Sequence, residues 1–147
     1  MKKIIGVCLI AMVMATTVSA IPVNEKVLKV FATSFPEVKG TTWYNYDTYY
    51  AVYFTNPDDS KCRIEYDFHG NILATTRYYS SELLAPFIRA RVSEKYPGKN
   101  IFGVTEVNNT NGLTYHIVLE DENKWYNVLS DAAGSISLEK KLNKAGK

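Results

Sequence analysis

The chain has 147 residues, with 17 lysines and arginines against 15 aspartates and glutamates and a formal net charge of +2. Two basic residues, Lys2 and Lys3, stand in a leader that we expect to be removed, which leaves 15 basic and 15 acidic residues. A formally neutral chain lacks the positive field of a general nucleic-acid-binding protein. Its length corresponds to one ordinary domain, or to two small repeats that share a core.

Residues 1–20 have the pattern of a secretory signal peptide. The basic start at Lys2 and Lys3 precedes an apolar run over 4–13, and Val18-Ser19-Ala20 then forms a small-residue cleavage site. The apolar run is too short to cross a membrane, and no later segment is suited to do so. We therefore expect export to the periplasm or the medium, and a mature protein without a membrane span.

A helix and four strands are predicted after the leader. The helix has one apolar stripe at spacings of three and four, which consists of Val23, Val27, Val30, Phe31 and Phe35. Pro36 ends this helix. Alternation and turn residues then predict strands over 41–46, 49–55, 61–68 and 72–79.

The same pattern starts again after residue 80. A second helix is predicted over 84–95, and strands follow over 101–107, 113–120, 124–129 and 135–139. The offset between matching landmarks is nearly constant: 61 residues from Pro36 to Pro97, 65 from Tyr50 to Tyr115 and 64 from Gly70 to Gly134. Because such an offset indicates duplication, residues 21–80 and 81–141 are interpreted as two repeats, followed by a flexible basic tail over 142–147.

Two helix-plus-four-strand units predict an α+β fold. They are most easily combined as one antiparallel sheet with both helices packed on one face. The other face of the sheet, called the open face below, is then left to solvent or to a partner.

The segment 41–54 contains seven aromatic rings, which we expect to divide between the two faces. A two-residue link over 47–48 pairs Tyr46 with Tyr49, Tyr44 with Ala51 and Thr42 with Tyr53 on the open face. The core-facing set is Trp43, Asn45, Tyr50, Val52 and Phe54. The candidate partner-binding residues on the open face are Tyr44, Tyr46, Tyr49, Tyr53, Arg63, Glu65, Arg77 and Tyr79. A register shift of one residue would exchange the faces, and cross-strand packing alone remains another explanation of the tyrosines.

Cys62 is the one cysteine outside the leader, so a disulfide within the mature chain is excluded. It shares an alternating apolar strand face with Ile64, Tyr66 and Phe68, where a thiol usually behaves as a small buried hydrophobe. Two alternatives stay open. One is an intermolecular disulfide, and the other is a catalytic thiol, which would need exposure and a nearby base.

The sequence offers little catalytic chemistry. His69 lies in a predicted turn and His116 in a strand of the other repeat, without metal-ligand spacing. The chain has no Gly-x-Ser-x-Gly elbow and no glycine-rich phosphate loop. Acidic loop residues at 58–59 and 121–122 fit hairpin turns, with a weak calcium site as the alternative. We therefore predict no catalytic residues, no metal, no cofactor and no enzyme activity.

Five stretches of the mature chain carry a family resemblance: "VFATSFPEV", "YAVYF", "IEYDFHGNIL", "LLAPFIRARVSEKYPG" and "YHIVLEDENKWYNVLSDAAGSI". With the leader and the early Trp43, they resemble the PepSY-like, beta-lactamase-inhibitor-like proteins exported by Bacteroidetes. The resemblance covers essentially the whole mature chain and implies a tandem helix-plus-sheet fold in the cell envelope. The family name suggests inhibition of secreted enzymes, but the quoted stretches are scaffold motifs and carry over no contact residue.

The leading hypothesis is a non-catalytic envelope protein that binds a protein or peptide across the open face, with inhibition of a secreted enzyme as one form of it. Tyrosine and arginine dominate binding hot spots, and a tyrosine-rich surface adapts well to protein partners. Two alternatives remain. One is a small-ligand protein whose rings line a sugar or lipid groove, and the other is a structural protein that forms a homodimer through the sheet face.

Overall fold

Two α-helices, one short 3₁₀ turn and eight β-strands account for the regular structure of residues 22–145, the range that this computed structural model describes. The predicted signal peptide, 1–20, lies outside the described residues. The helices are α1 (Glu25–Ser34) and α2 (Pro86–Lys95), and the 3₁₀ turn is Ser81–Leu83. The strands are β1 (Thr42–Asn45), β2 (Tyr50–Thr55), β3 (Lys61–Tyr66), β4 (Ile72–Tyr79), β5 (Asn100–Asn109), β6 (Gly112–Glu120), β7 (Lys124–Asp131) and β8 (Ile136–Asn143). Neither helix in this range has the length and apolar character needed to cross a membrane.

All eight strands form one antiparallel sheet, in which each strand pairs with its neighbours in the chain from β1 to β8. The predicted α+β class with an antiparallel sheet is therefore confirmed. Among the strands, β8 has the largest difference between the predicted and the observed end. It was predicted to end at Glu139 and continues to Asn143. Leu142 and Asn143 pair with Trp125 and Lys124, so they belong to the sheet and not to a tail.

α1 begins at an asparagine cap and ends before a proline. The Asn24 side chain accepts a hydrogen bond of 2.8 Å from the backbone N–H two residues later, which satisfies one of the free donors of the first turn. Val27 and Phe31, four residues apart, are buried in a cluster with strand residues. The helix ends at Phe35, whose N–H donates to the carbonyl of Phe31 at 2.9 Å.

α2 begins at a proline and ends before another one. Pro86 occupies the first turn, where the missing N–H would have no helical partner in any case. Ile88 and Val92 are buried four residues apart, as in α1. The N–H of Tyr96 donates to the carbonyl of Val92 at 2.9 Å and ends the helix.

Two hydrophobic clusters combine helix side chains with one face of the sheet, called the core face below. The buried residues of the first cluster are Val27, Phe31, Tyr50, Val52, Phe54, Cys62, Ile64 and Tyr66. Those of the second cluster are Tyr79, Leu84, Ile88, Val92, Val104, Tyr115, Ile117, Leu119, Tyr126 and Val128. Burial stabilises the fold by about 1.5–3 kcal/mol for each fully buried valine, leucine, isoleucine or phenylalanine. The core face is therefore fixed by packing, and the opposite face remains available.

The β3–β4 and β7–β8 loops have the same hydrogen bonds. Asp67 and Asp131 each accept the backbone N–H groups two and four residues later, at 2.8–2.9 Å. Gly70 and Gly134 complete the turns with φ values of 90° and 82°, which non-glycine residues rarely adopt. Hydrogen bonds from the residue four positions later are the main reason that the pKa of each carboxyl is lowered.

Candidate functional site

The first hairpin has the predicted register. Tyr44 pairs with Ala51, and the N–H of Tyr46 donates to the carbonyl of Tyr49 at 2.9 Å. The rings of Trp43, Tyr50 and Phe54 therefore lie on the core face. The rings on the open face, called the tyrosine cluster below, are Tyr44, Tyr46, Tyr49 and Tyr53.

The tyrosine cluster is packed within itself but remains accessible. Tyr44 and Tyr53 meet edge to face with ring centroids 5.4 Å apart, and Tyr46 stacks on Tyr49 at 4.5 Å. Three of the four side chains stay 36–49% exposed, while Ala51 between them on the same face is fully buried. Cross-strand pairs of this kind stabilise a hairpin by about 0.2–1 kcal/mol each, so the rings also hold one another in place.

Arg63 and Glu65 on β3 complete this part of the open face. They form an ion pair, and the Arg63 guanidinium lies 5.7 Å from the centre of the Tyr53 ring and donates to the Tyr49 hydroxyl at 3.4 Å. Partial desolvation, with a smaller effect of the neighbouring tyrosines, raises the pKa of Tyr46. The Tyr46 phenol therefore stays neutral at neutral pH, beside the ion pair of Arg63 with Glu65.

Arg77 and Tyr79 lie on the core face, so their predicted place on the open face is wrong. The pairing of β3 with β4 skips Leu73, which forms a β-bulge. Because an extra residue reverses the alternation beyond it, Arg77 pairs with Cys62 on the core face and not with Lys61 on the open face. Tyr79 follows on the same face and is 8% exposed.

Arg77 and Tyr79 belong to a polar network on the core face, and the Tyr79 ring is also part of the second hydrophobic cluster. The Tyr79 hydroxyl donates to Glu106 Oε2 at 2.6 Å, and Arg77 Nη1 lies 3.7 Å from Glu106 Oε1. Arg77 Nη2 also donates to Asp58 Oδ2 at 3.1 Å. Burial, followed by the hydrogen bond to Glu106, raises the pKa of Tyr79 and keeps this donor protonated. These two residues therefore link β4 to β5 through Glu106, and Arg77 also links β4 to the β2–β3 loop through Asp58.

The residue at this end of β4 that lies on the open face is Tyr78, and not Arg77 or Tyr79 as the sequence predicted. It pairs with Lys61 on one side and Thr105 on the other, and it is 45% exposed on the open face. No local sequence signal marks the bulge at Leu73, which is why alternation alone pointed to the neighbours of Tyr78.

The side chains of β6 alternate between the two faces of the sheet. Its core-face residues are Leu113, Tyr115, Ile117 and Leu119. Its open-face residues are Thr114, His116, Val118 and Glu120. His116 Nδ1 lies 3.5 Å from Glu139 Oε2, so this exposed histidine contacts a carboxylate of β8.

A second aromatic pair lies on the open face, at the opposite side of the sheet. Trp125 pairs with Glu120 and Leu142, on the face opposite the buried Tyr126. Phe102 is skipped in the pairing of β5 with β6 and is 63% exposed, with its ring centroid 4.9 Å from that of Trp125. Because Trp125 and Tyr126 are adjacent in one strand, the sequence predicts that one of the two rings points outward but does not identify which one. The alternation of Tyr126 with the apolar residue at 128 is the signal that could have done so.

The groups considered for catalysis are held apart or buried. Within residues 22–145, no group of three or more His, Cys, Asp and Glu side chains could hold a metal ion. His69 belongs to the β3–β4 loop, whereas His116 lies on β6. Cys62 is buried, and its Sγ accepts a hydrogen bond of 3.0 Å from the Asn56 amide. Burial raises the pKa of this thiol, which lowers the thiolate fraction that a nucleophile needs.

Solved structures of Bacteroides proteins share this fold. A BLIP-like protein from Bacteroides fragilis matches with a TM-score of 0.63 and 15% identity, over 88% of this chain and 92% of its own. A DUF2874 family protein from Bacteroides ovatus has a TM-score of 0.60 and 20% identity, over 80% and 85% of the two chains. A protein from Bacteroides eggerthii that is described as periplasmic by prediction has a TM-score of 0.61 and 13% identity, over 83% and 89%. No protein-family model and no curated protein matches the sequence.

At these identities the likeness establishes the fold and not the function. The name BLIP-like agrees with the resemblance to beta-lactamase-inhibitor-like proteins, whereas the name PepSY-like has no counterpart among these three structures. The sequence resemblance is therefore confirmed at the level of the fold: this chain is built like the BLIP-like and DUF2874 proteins of Bacteroides.

Proposed function

We propose that this chain is an exported, non-catalytic protein of the cell envelope that binds a protein partner through the open face of its sheet. The tyrosine cluster is the observation that carries the proposal. Three of its four rings are more than a third exposed and lie together on one face. Tyrosine and arginine are enriched in binding hot spots, where truncation typically costs about 2 kcal/mol or more.

The arrangement of the cluster suits a binding surface. Its ring pairs are already packed, so little side-chain freedom remains to be lost when a partner binds. Its hydroxyl groups and the ion pair of Arg63 with Glu65 offer donors and acceptors beside large apolar surfaces. Surfaces that combine rigid rings with adaptable polar groups are typical of protein-binding faces.

An exported enzyme is the class of partner to test first. One of the fold relatives is named BLIP-like, and another is described as periplasmic by prediction. The leader over 1–20 supports export of this chain to the same kind of compartment. Inhibition of that enzyme is the form of binding that we propose on these grounds.

Binding of a small ligand is the second candidate function, and one cavity favours it. This cavity of about 370 Å³ is lined by Gly40, Thr42, Tyr53, Phe54, Thr55, Lys61, Cys62 and Tyr78. Its size is within the range of small-molecule sites, about 300–1,000 Å³. However, Tyr53 is the one member of the tyrosine cluster among its lining residues, so a ligand there would leave the other three rings unused.

We further propose that residues 21–80 and 81–141 are tandem repeats, each with one helix on the core face. Both helices end on an aromatic residue before a proline, with the same hydrogen bond of 2.9 Å. The aspartate loops also repeat, with Gly70 and Gly134 in equivalent places. Because β4 pairs with β5, the open face continues from the strands of the first proposed repeat to those of the second.

A capture experiment tests the proposed function. The mature protein is compared with a variant that changes all four residues of the tyrosine cluster to serine, and with a control that carries Leu28→Ser and Leu83→Ser. Both control residues are exposed and lie outside the sheet. Circular dichroism and thermal unfolding first verify that both variants fold.

We expect the mature protein and the control to capture the same envelope protein, and the tyrosine variant to lose it. Equal capture by all three proteins would assign the rings to hairpin stability alone. Sedimentation of the purified protein at micromolar concentration separates this proposal from self-association. A homodimer through the open face would form in the purified mature protein, without any partner present, and would be lost in the tyrosine variant.

A further inference from the structure

We propose that the free edge of β1, the side that does not face β2, is a homodimerisation site. A second copy of this chain adds its own β1 there in antiparallel orientation, with a two-fold axis at Trp43, so that each sheet continues into the other. The inference goes beyond the proposed function and does not depend on it, because it concerns an edge of the sheet and not the open face.

The two edges of the sheet differ in how they are protected. β8 forms one edge, and it has a β-bulge at Glu139 followed by Lys140 and Lys141. Bulges and lysines are common means by which proteins keep an edge strand from pairing with another chain. β1 forms the other edge and pairs with β2 without a bulge, and residues 40–46 contain no charged residue and no proline. β1 therefore lacks these protective features.

The hydrogen bonds of the first hairpin determine which backbone groups of β1 point outward. The N–H of Tyr46 donates to the carbonyl of Tyr49. Because inward and outward residues alternate along an antiparallel strand, Tyr44 and Thr42 also direct their N–H and C=O groups toward β2. Those of Trp43 therefore point toward the free edge. When two β1 strands pair around Trp43, this residue and its copy exchange two hydrogen bonds, as the centre of a two-fold symmetric strand pair requires.

Charge complementarity favours a second copy in this register. The charged residues nearest to β1 are Lys39 and Asp47, four positions before and four positions after Trp43. Both are exposed, and neither makes an ion pair within residues 22–145. When two copies pair around Trp43, Lys39 of each chain stands opposite Asp47 of the other. A shift of the axis by one residue in either direction loses both of these pairs, so the charges select the axis at Trp43.

Aromatic side chains beside the edge add buried surface to the dimer. Trp43 lies on the core face with its ring centroid 5.4 Å from that of Phe31, and it is half-buried in the single chain. Two Trp43 residues paired across the axis would cover part of each other's exposed surface. On the open face, Tyr44 would stand opposite Thr42 of the second copy. The axis is perpendicular to the sheet and keeps like faces on the same side, so the two tyrosine clusters would lie next to each other.

Sedimentation of charge variants tests the inference. The purified mature protein should show a monomer–dimer equilibrium between micromolar and submillimolar concentration. Lys39→Asp and Asp47→Lys each place like charges opposite each other twice in every dimer, so each should weaken dimerisation about three- to tenfold. The combined variant restores opposite charges and should dimerise within about twofold of the unchanged protein. Lys140→Asp, on the protected edge, is the matched control and should have no effect.

Disulfide formation between cysteine variants tests the register independently of charge. Around an axis at Trp43, Thr42 and Tyr44 of the second copy form a non-hydrogen-bonded pair, in which side chains approach most closely. A mixture of Thr42→Cys and Tyr44→Cys proteins should therefore form the mixed disulfide dimer far faster than either protein crosslinks with itself. Cys62 is buried, so the unchanged protein is the control for crosslinking through the native thiol.

Several outcomes would overturn the inference. Monomer at every concentration refutes it, as does a dimer that neither single charge reversal weakens. Faster crosslinking of Tyr44→Cys with itself than with Thr42→Cys refutes the axis at Trp43. If Thr42→Cys in an envelope extract becomes linked to a different protein and not to the second copy, the edge accepts a foreign strand instead.

The serine variant of the tyrosine cluster separates this dimer from one through the open face. The variant keeps the backbone edge of β1 and both Lys39 and Asp47, so it should still dimerise. Loss of the dimer in this variant, with its fold intact, would assign self-association to the open face and refute the edge. Because no envelope partner takes part in sedimentation, these results leave the proposed function to be decided by the capture experiment.

Discussion

The hydroxyl of Tyr79 donates a hydrogen bond of 2.6 Å to Oε2 of Glu106, across the pairing of β4 with β5. We predict that Tyr79→Phe lowers the free energy of unfolding by about 1–3 kcal/mol, because a partly buried carboxylate loses a donor while the ring remains in place. Urea unfolding of the two proteins, followed by circular dichroism, measures this difference.

The neighbouring residue provides a matched control. Tyr78→Phe removes the same hydroxyl from an exposed ring on the open face, so the free energy of unfolding should change by less than about 0.5 kcal/mol. Equal effects of the two substitutions would mean that the bond from Tyr79 to Glu106 contributes no specific stability.

Gly134 combines a left-handed backbone with close contact to α2. Its φ is 82°, and a Cβ at this position would lie 2.8 Å from Cε1 of Phe87. We expect Gly134→Ala to lower the free energy of unfolding by about 1–2 kcal/mol from the backbone alone, and by up to about 1 kcal/mol more because the ring must move. Thermal and urea unfolding measure the total.

Gly40 separates these two contributions. It has a φ of 80°, but a Cβ there would meet nothing within 4 Å, so Gly40→Ala reports the backbone cost. In a Phe87→Ala background, the excess cost at Gly134 should disappear. If the excess persists in that background, contact with Phe87 is not its cause.

Asp121 should contribute to stability at neutral pH and lose that contribution in acid. Its carboxylate accepts hydrogen bonds from the Tyr126 hydroxyl at 2.6 Å and from Lys99 Nζ at 3.2 Å. The Tyr126 hydrogen bond is the first cause, and with the other donors it holds the pKa of Asp121 far below its usual range. An unfolded aspartate titrates near pH 3.9, so the stabilisation is complete above about pH 5 and declines as the pH falls below that value.

Asp121→Asn provides the comparison. The free energy of unfolding of both proteins is measured from about pH 7 to about pH 3, and the advantage of aspartate over asparagine should shrink steadily toward the acid end. Asp67 and Asp131 also have lowered pKa values, but they are present in both proteins and cancel in the difference. If the difference in free energy of unfolding between the two proteins stays constant with pH, the lowered pKa of Asp121 is not the source of the stabilisation.

Cys62 should react with thiol reagents only when the protein opens. The side chain is buried, its Sγ accepts a hydrogen bond from Asn56, and burial raises the pKa of the thiol. We expect modification of the native protein by a disulfide reagent to be at least about a hundredfold slower than modification of the urea-unfolded chain. Rapid modification of the folded protein would instead support the alternatives of a reactive thiol or an intermolecular disulfide.

The sequence by itself determined the order of the helices and strands and the division of rings in the first hairpin. These features depend on local patterns: apolar spacings of three and four in α1, alternation in β2 and β3, and the length of the 47–48 link. The link fixes which residues of β1 and β2 are opposite each other, so Tyr44 and Tyr53 could be assigned to one face without a structure.

The tertiary structure alone decided which residues of β4 and β5 reach the open face. Whether Leu73 or Phe102 is skipped depends on how the paired strands fit together over their full length. Such a bulge leaves no fixed mark in the sequence, yet it reverses the face of every residue beyond it. For this reason Tyr79 was predicted on the wrong face, and the pair of Phe102 and Trp125 became visible only when the sheet was assembled.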